Sequence, residues 1–101
     1  VLRKQVANGN FALRLHAMQH AVKEGFTKEH MIHVVLNGTI IETYPDRKRC
    51  LFYADITLEG VNMPLHVICE HQAPRYPVDF VTVYIPTSNE WEAPTRRRKK
   101  K

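Results

Sequence analysis

The sequence is poor in cysteine and glycine and has no long apolar run. Its 101 residues include 4 glycines and 2 cysteines, Cys50 and Cys69. Two cysteines are too few for a disulfide framework, and no CxxC or comparable ligand cluster is present, so we expect reduced thiols and no structural zinc. No apolar stretch approaches the roughly 18 residues that a membrane-spanning helix needs. We therefore expect a soluble, cytoplasmic protein with no membrane partner.

Several catalytic signatures are also missing. The sequence has no Walker-type glycine loop, no GxSxG motif, no dinucleotide-binding fingerprint and no close Ser/His/Asp pattern, which disfavours ATP-dependent and acyl-transfer chemistry. His16 and His20 have the i, i+4 spacing of a helical metal-binding pair, but no HExxH pattern accompanies them. We predict no metal site and no cofactor.

The positive charge is concentrated at the C-terminus. The formal net charge is +5, but the last six residues are all basic, and without them the chain has 9 basic and 10 acidic residues. The basic pI therefore describes the tail and does not indicate a nucleic-acid-binding domain. We predict an N-terminal extension over residues 1–10, a single domain over residues 11–92, and a disordered basic tail over residues 93–101.

Apolar periodicity predicts two helices in the first part of the chain. The first helix should end near Gly25, and the second should start after Thr27 as N-cap and end at Asn37-Gly38. The first apolar stripe consists of Phe11, Leu15, Met18 and Val22, and the second of Met31, Ile32, Val35 and Leu36.

After Gly38 the pattern becomes typical of strands. β-branched and aromatic residues dominate the segments 39–44, 50–58, 63–71 and 78–85, which are separated by turn-like residues. The connections are too short for parallel crossovers, so neighbouring strands should pair antiparallel. We predict an α+β fold with two N-terminal helices packed on one face of a four-stranded antiparallel sheet.

Alternation along the strands sorts their side chains onto two faces. The predicted core face carries Cys50, Phe52, Ala54, Ile56, Leu58, Leu65, Val67, Cys69, Val81, Val83 and Ile85. The predicted outer face carries Tyr53, Asp55, His66, Ile68, Glu70, Phe80, Thr82 and Tyr84, with no further element above it. Such a polar face could bind or react, although a plain solvated face is equally common in antiparallel sheets.

The outer face contains the strongest candidates for function. His66 lies in the most apolar strand and can titrate near neutral pH. Thr82 and Tyr84 share its face and could hold a phosphate or a base. Arg47 and Arg49 lie in the turn between the first two predicted strands, where phosphate-binding cations are readily placed. A structural histidine and an ordinary polar turn are the competing interpretations.

Four separated motifs occur in the order typical of one family. They are His16-Ala17, GFTKEHMIHVVLNGTIIETYP, PLHVI and VTVYIPTSNEWE, followed by a basic end. In this order the sequence resembles the domain-of-unknown-function 4258 family, which is generally placed with the RelE-like and barnase-like (BECR) ribonucleases. The resemblance covers roughly residue 11 to the C-terminus, and His16, His66, Thr82 and Tyr84 match its motifs.

The resemblance implies a RelE-like fold and a toxin-like, metal-independent endoribonuclease of the mRNA interferase type. Such a toxin would be encoded beside a zinc-finger antitoxin of the MqsA or YgiT type, and its substrate would be RNA, including ribosome-bound mRNA. RelE-like nucleases cut RNA on the exposed face of a small antiparallel sheet. Alternation alone places the polar residues of this chain on such a face.

Metal-free RNA cleavage needs a base for the 2′-hydroxyl proton, an acid for the 5′-oxygen, and donors for the charge on the phosphoryl oxygens. On this hypothesis His16 and His66 share the acid and base duties, Tyr84 and Thr82 orient the phosphate, and Arg47 or Arg49 offsets its charge. The product would be a 2′,3′-cyclic phosphate.

The competing hypothesis is a non-catalytic module that uses the same outer face to bind protein or RNA. Tyr53, Phe80 and Tyr84 could stack RNA bases there. The tail residues Arg96, Arg97 and Arg98 would add a salt-sensitive attraction to RNA or the ribosome, or would contact an antitoxin.

Overall fold

The computed structural model describes residues 1–87, 91–93 and 96–97. Its helices and strands form one α+β unit, with the helices on one side of a sheet. The elements are α1 (Leu2–Ala7), β1 (Phe11–Leu13), α2 (Leu15–Glu24), α3 (Lys28–Asn37), β2 (Thr39–Tyr44), a 3-10 turn (Pro45–Arg47), β3 (Arg49–Leu58), β4 (Val61–Glu70), β5 (Val78–Tyr84), β6 (Trp91–Ala93) and β7 (Arg96–Arg97).

The main sheet has five strands and is mixed. The strand order is β1-β5-β4-β3-β2, and β2 to β5 pair antiparallel as predicted. The fifth strand, β1, lies parallel to β5 at the edge, with Phe11 opposite Val78 and Leu13 opposite Phe80. The prediction of four antiparallel strands missed β1 because Phe11 also fits the apolar period of the following helix.

The N-terminal residues contribute to the core. Residues 1–10 were predicted as an extension, but they contain α1, in which Val6 is 2% exposed. Arg3 donates to the carbonyl oxygens of Val35 and Gly38 at the end of α3, at 2.8 and 2.6 Å. α1 therefore packs on α3 and satisfies two of its C-terminal carbonyls.

Helix α2 buries a different side from the one that its apolar stripe predicts. Leu15, Met18 and Val22 are 69%, 48% and 85% exposed, whereas Ala17 and Ala21 join the core. Small side chains let the helix backbone approach β5 closely, which a row of larger residues would prevent. The helix ends at Gly25, which has the left-handed conformation expected of a C-cap.

Helix α3 follows its prediction closely. The Thr27 hydroxyl accepts from the His30 backbone N–H at 3.3 Å, and His30 Nδ1 accepts from the Thr27 N–H, which completes a reciprocal cap. Met31, Val34 and Val35 are buried against the sheet. The N-cap agrees with the sequence prediction. The buried face agrees in part, because Val34 is buried whereas the predicted Ile32 and Leu36 are half-buried.

A bulge in β5 changes the predicted faces of the sheet. The pairing register of β4 and β5 shifts between Ile68 and Cys69. Ile68 pairs with Thr82 and Cys69 pairs with Phe80, which leaves Val81 as the extra residue. Phe80 therefore lies in the core and stacks on Phe11, with ring centroids 5.0 Å apart. Its predicted place on the outer face is wrong because strict alternation fails at a bulge.

The outer face is not open along its whole length. Leu51 and His66 both lie on this face, and both are 0% exposed. Solvent therefore does not reach these two side chains, although alternation places them on the predicted outer face.

The chain beyond β5 is described only in part. The backbones of β6 and β7 pair as a separate two-stranded antiparallel sheet, within a region that includes the predicted disordered tail. Residues 88–90, 94–95 and 98–101, and the rest of the tail prediction with them, lie outside the described residues. No helix among the described residues is long and apolar enough to cross a membrane.

Candidate functional site

A row of two tyrosines and a histidine crosses the middle of the outer face. Tyr53 on β3 and Tyr84 on β5 lie directly opposite His66 on β4, one on each side. Both tyrosine rings meet the imidazole edge-on, with centroids 5.9 Å away for Tyr53 and 5.2 Å away for Tyr84. We call these three residues the tyrosine–histidine row.

A hydrogen bond joins the imidazole to one phenol of this row. His66 Nδ1 lies 3.3 Å from the Tyr84 hydroxyl oxygen. His66 is completely buried, whereas Tyr84 is half-buried. A proton can thus pass between a buried imidazole and a phenol that is partly exposed to solvent.

The second phenol of the row is held by a carboxylate. The Tyr53 hydroxyl donates to Asp55 at 2.9 Å. Burial raises the pKa of Tyr53, and the hydrogen bond to Asp55 and its negative charge raise it further. Tyr53 therefore stays protonated at neutral pH and is a hydrogen-bond donor, not a base.

Thr82 lies beside the row, as predicted. It is opposite Ile68 and two residues before Tyr84 on the same face, and it is half-buried. The structure thus brings together His66, Thr82 and Tyr84, which were predicted from alternation to share a site.

The two predicted phosphate-binding arginines line a cavity near one end of the outer face. Tyr44, Arg47, Arg49 and Ile68 surround a space of about 240 Å³. Arg47 is exposed at the end of the 3-10 turn. Arg49 is half-buried, and its Nε donates to Glu70 at 2.9 Å, which leaves the terminal nitrogens of its guanidinium able to meet a ligand. Four residues, or about 13 Å, separate Arg49 from Tyr53 along β3.

A charged cluster next to this cavity was not anticipated. Arg14, the residue before α2, reaches Glu70 at 3.0 Å and Asp79 at 2.8 Å, while Arg49 binds Glu70 from the other side. The hydrogen bond from Gln72 and that from Arg49 lower the pKa of Glu70. Arg49, Glu70 and Asp79 lie opposite one another on three neighbouring strands. The sequence could have indicated the cluster only through this arrangement, which depends on the pairing register of the strands.

His16 is far from these residues in the fold. It is exposed on α2, on the helix side of the sheet, whereas His66 faces the opposite side. The structure does not bring the two predicted acid–base residues together. The ring of His16 lies against His20, with centroids 4.6 Å apart.

Among the described residues no group of three or more His, Cys, Asp or Glu side chains is placed to hold a metal ion. The backbones of Arg96 and Arg97 form β7. Their side chains and the whole of Arg98 lie outside the part of the chain that the structure describes.

Comparison with known proteins gives a family and no function. No curated protein and no solved structure matches the chain. A family model described as "Domain of unknown function (DUF4258)" matches residues 13–85, which include α2, α3 and the strands that carry the tyrosine–histidine row. The resemblance seen in the sequence is thereby confirmed, and the chain belongs to this family.

Proposed function

We propose that this protein is a toxin-like endoribonuclease that cleaves single-stranded RNA on the outer face of its sheet. The observation that carries the proposal is the hydrogen-bonded pair of His66 and Tyr84, which lies on the sheet beside Tyr53 and the hydroxyl donor Thr82. The fold would then group with the RelE-like ribonucleases.

The pair supplies a base for attack by the 2′-hydroxyl. The Tyr84 hydroxyl meets the ribose and His66 accepts the proton behind it, so that the 2′-oxygen bonds to phosphorus. The bond from phosphorus to the 5′-oxygen breaks, and this oxygen takes a proton from solvent. The products are a 2′,3′-cyclic phosphate and a 5′-hydroxyl. Thr82 donates a hydrogen bond to a phosphoryl oxygen, where negative charge develops. Tyr53, whose hydroxyl donates to Asp55, packs against the imidazole of His66.

The arginine cavity would hold another part of the same strand. Its distance from Tyr53 of about 13 Å along β3 means that Arg47 and Arg49 contact a different nucleotide from the one being cleaved. Charge-assisted contacts to phosphate position the strand without reading its sequence. The substrate is RNA, including ribosome-bound mRNA, and the expected partner is a cytoplasmic zinc-finger antitoxin of the MqsA or YgiT type.

A non-catalytic binding module is the second candidate. The observation that favours it is the complete burial of His66, which is typical of a histidine with a structural role. On this alternative the outer face binds RNA or a protein partner, and the imidazole only holds the tyrosines in place.

The test is primer extension on transcripts in a translating cell-free extract, which keeps ribosome-dependent cleavage visible. Tyr84→Phe removes one hydroxyl and should reduce the appearance of new ends at least 100-fold, the loss expected when proton transfer fails. His66→Gln should act in the same direction. His16→Ala is the matched control and should cleave like the wild type, because the sheet separates it from the row.

Circular dichroism of each variant shows whether a loss of cleavage reflects unfolding. Cleavage by a folded Tyr84→Phe variant at the wild-type rate would rule out the proposed base. Intact transcripts with the wild type, together with retained RNA binding in a filter assay, would favour the binding module.

A further inference from the structure

A second cavity opens on the helix side of the sheet, where α2 ends beside the turn between β3 and β4. Its volume is about 360 Å³, within the lower part of the range found for small-ligand sites. Leu58, Val61, Met63 and Ile85 supply apolar walls, and Glu24, Gly25 and Glu59 complete the lining. None of the predicted site residues between His16 and Tyr84 lines it.

Glu24 is an unusual lining residue for an apolar cavity. Its Oε2 atom is buried and has no hydrogen-bond partner in the part of the chain that the structure describes. A buried carboxylate oxygen without a donor costs free energy, so such an atom calls for an explanation. The neighbouring Lys23 is exposed and does not line the cavity.

The charge around the cavity has one sign. Glu24 lies in the last turn of α2, where the helix dipole is already negative and a carboxylate is unfavourable. Glu59 lies at the rim, and among residues 1–87 no basic side chain lines the space. The cavity therefore combines apolar walls with a negative end, which matches a cation on an apolar chain.

We infer that this cavity is a binding site for an alkylammonium group. The ammonium donates to Glu24 Oε2, and the methylene chain lies against Leu58, Val61 and Met63. Two sources share this chemistry, a free alkylamine and the side chain of a lysine on another polypeptide.

The experiment is a titration of the full chain with hexylammonium at pH 7, followed by amide chemical shifts and calorimetry. We expect saturable binding, with a dissociation constant on the order of 1 mM for so small a ligand, and shifts at Gly25, Gly60 and Val61. Hexanol has the same apolar body without the charge and should bind at least tenfold more weakly. An acetylated, amidated Gly-Lys-Gly peptide separates the two sources. Binding of this peptide would assign the site to a lysine side chain. If hexylammonium binds and the peptide does not, the site takes a free alkylamine.

Two variants locate the site. Glu24→Gln keeps the shape and removes the charge, and it should weaken hexylammonium binding at least tenfold, while Glu29→Gln on the exposed side of α3 should not change it. Val61→Ser removes one apolar wall at an exposed position and should weaken binding as well. Absence of binding, equal binding of hexanol, or an unchanged affinity of Glu24→Gln would each overturn the inference.

Discussion

Gly38 joins α3 to β2 at a point where two backbones come unusually close. A Cβ atom at this position would collide with the carbonyl oxygens of Val34 and Tyr53, and neither backbone atom can swing away. Gly38→Ala should therefore lower the free energy of unfolding by about 1–3 kcal/mol, as overpacking typically does. Urea denaturation followed by circular dichroism measures the change.

Gly60 is the matched control for this prediction. It has a φ of +80° in the β3–β4 turn, and a Cβ there would meet nothing within 4 Å. Gly60→Ala should lower the free energy of unfolding by about 1 kcal/mol, because alanine disfavours the left-handed conformation at this position. A Gly38→Ala variant as stable as the wild type would contradict the close approach of the two backbones.

Single residues were predictable where their role is local. The cap at Thr27 and the end of α2 at Gly25 follow from residue type and neighbours, and both are present. The burial of His66 was not predictable, because alternation assigns a face without showing what lies above it.

Among the strands, the prediction from alternation is wrong where β5 contains one extra residue. Core positions on β3 and β4 agree with the prediction, but Val81 bulges from β5 and sends Phe80 to the core. Strict alternation would put Asp79 on the core face with Val81 and Val83, and the bulge instead places this carboxylate opposite Glu70. With the bulge in place Phe80 stacks on Phe11, a contact between distant parts of the chain that alternation does not record.

The charged cluster links three strands and the residue before α2, and it should make stability depend on pH. Glu70 has a pKa below the ordinary value of 4.5 because Gln72 and Arg49 hydrogen-bond to its carboxylate. A lowered folded-state pKa means that the stabilisation is present above pH 4.5 and is lost as pH falls through the folded-state value. The wild type should therefore lose stability below about pH 4.5.

Glu70→Gln tests this dependence. The variant should be less stable than the wild type by about 1 kcal/mol at pH 7, and the difference should shrink towards pH 3. Urea midpoints measured between pH 3 and 7 give the comparison, with Glu29→Gln as an exposed control. A difference that is constant over this range would show that the charge of Glu70 does not contribute.

For the whole molecule, the sheet is completed by the N-terminal segment. β1 covers the edge of β5, Phe11 stacks on Phe80, and Val6 fills the core from α1. Removal of residues 1–13 should abolish cooperative thermal unfolding, because the core loses large apolar side chains and β5 becomes a bare edge. Ala12→Ser, at an exposed position, should unfold like the wild type.

Thermal melts followed by circular dichroism decide this prediction. A truncated chain that still melts cooperatively at the wild-type midpoint would mean that β1 adds nothing to the fold. Two of the three helices and four strands could be predicted from periodicity, whereas α1 was missed. The parallel pairing of β1 depends on a contact far along the chain, which periodicity does not record.

The pairing of Phe11 with Val78 also means that β1 is synthesised well before its partner strand β5. At about 5–20 residues per second, β1 leaves the ribosome roughly 3–13 s before the strand that it must join. During that interval its backbone donors and acceptors have only water or a foreign strand to meet. The five-stranded sheet is therefore a late product of translation, and a chain halted before residue 78 has synthesised the edge strand without its partner.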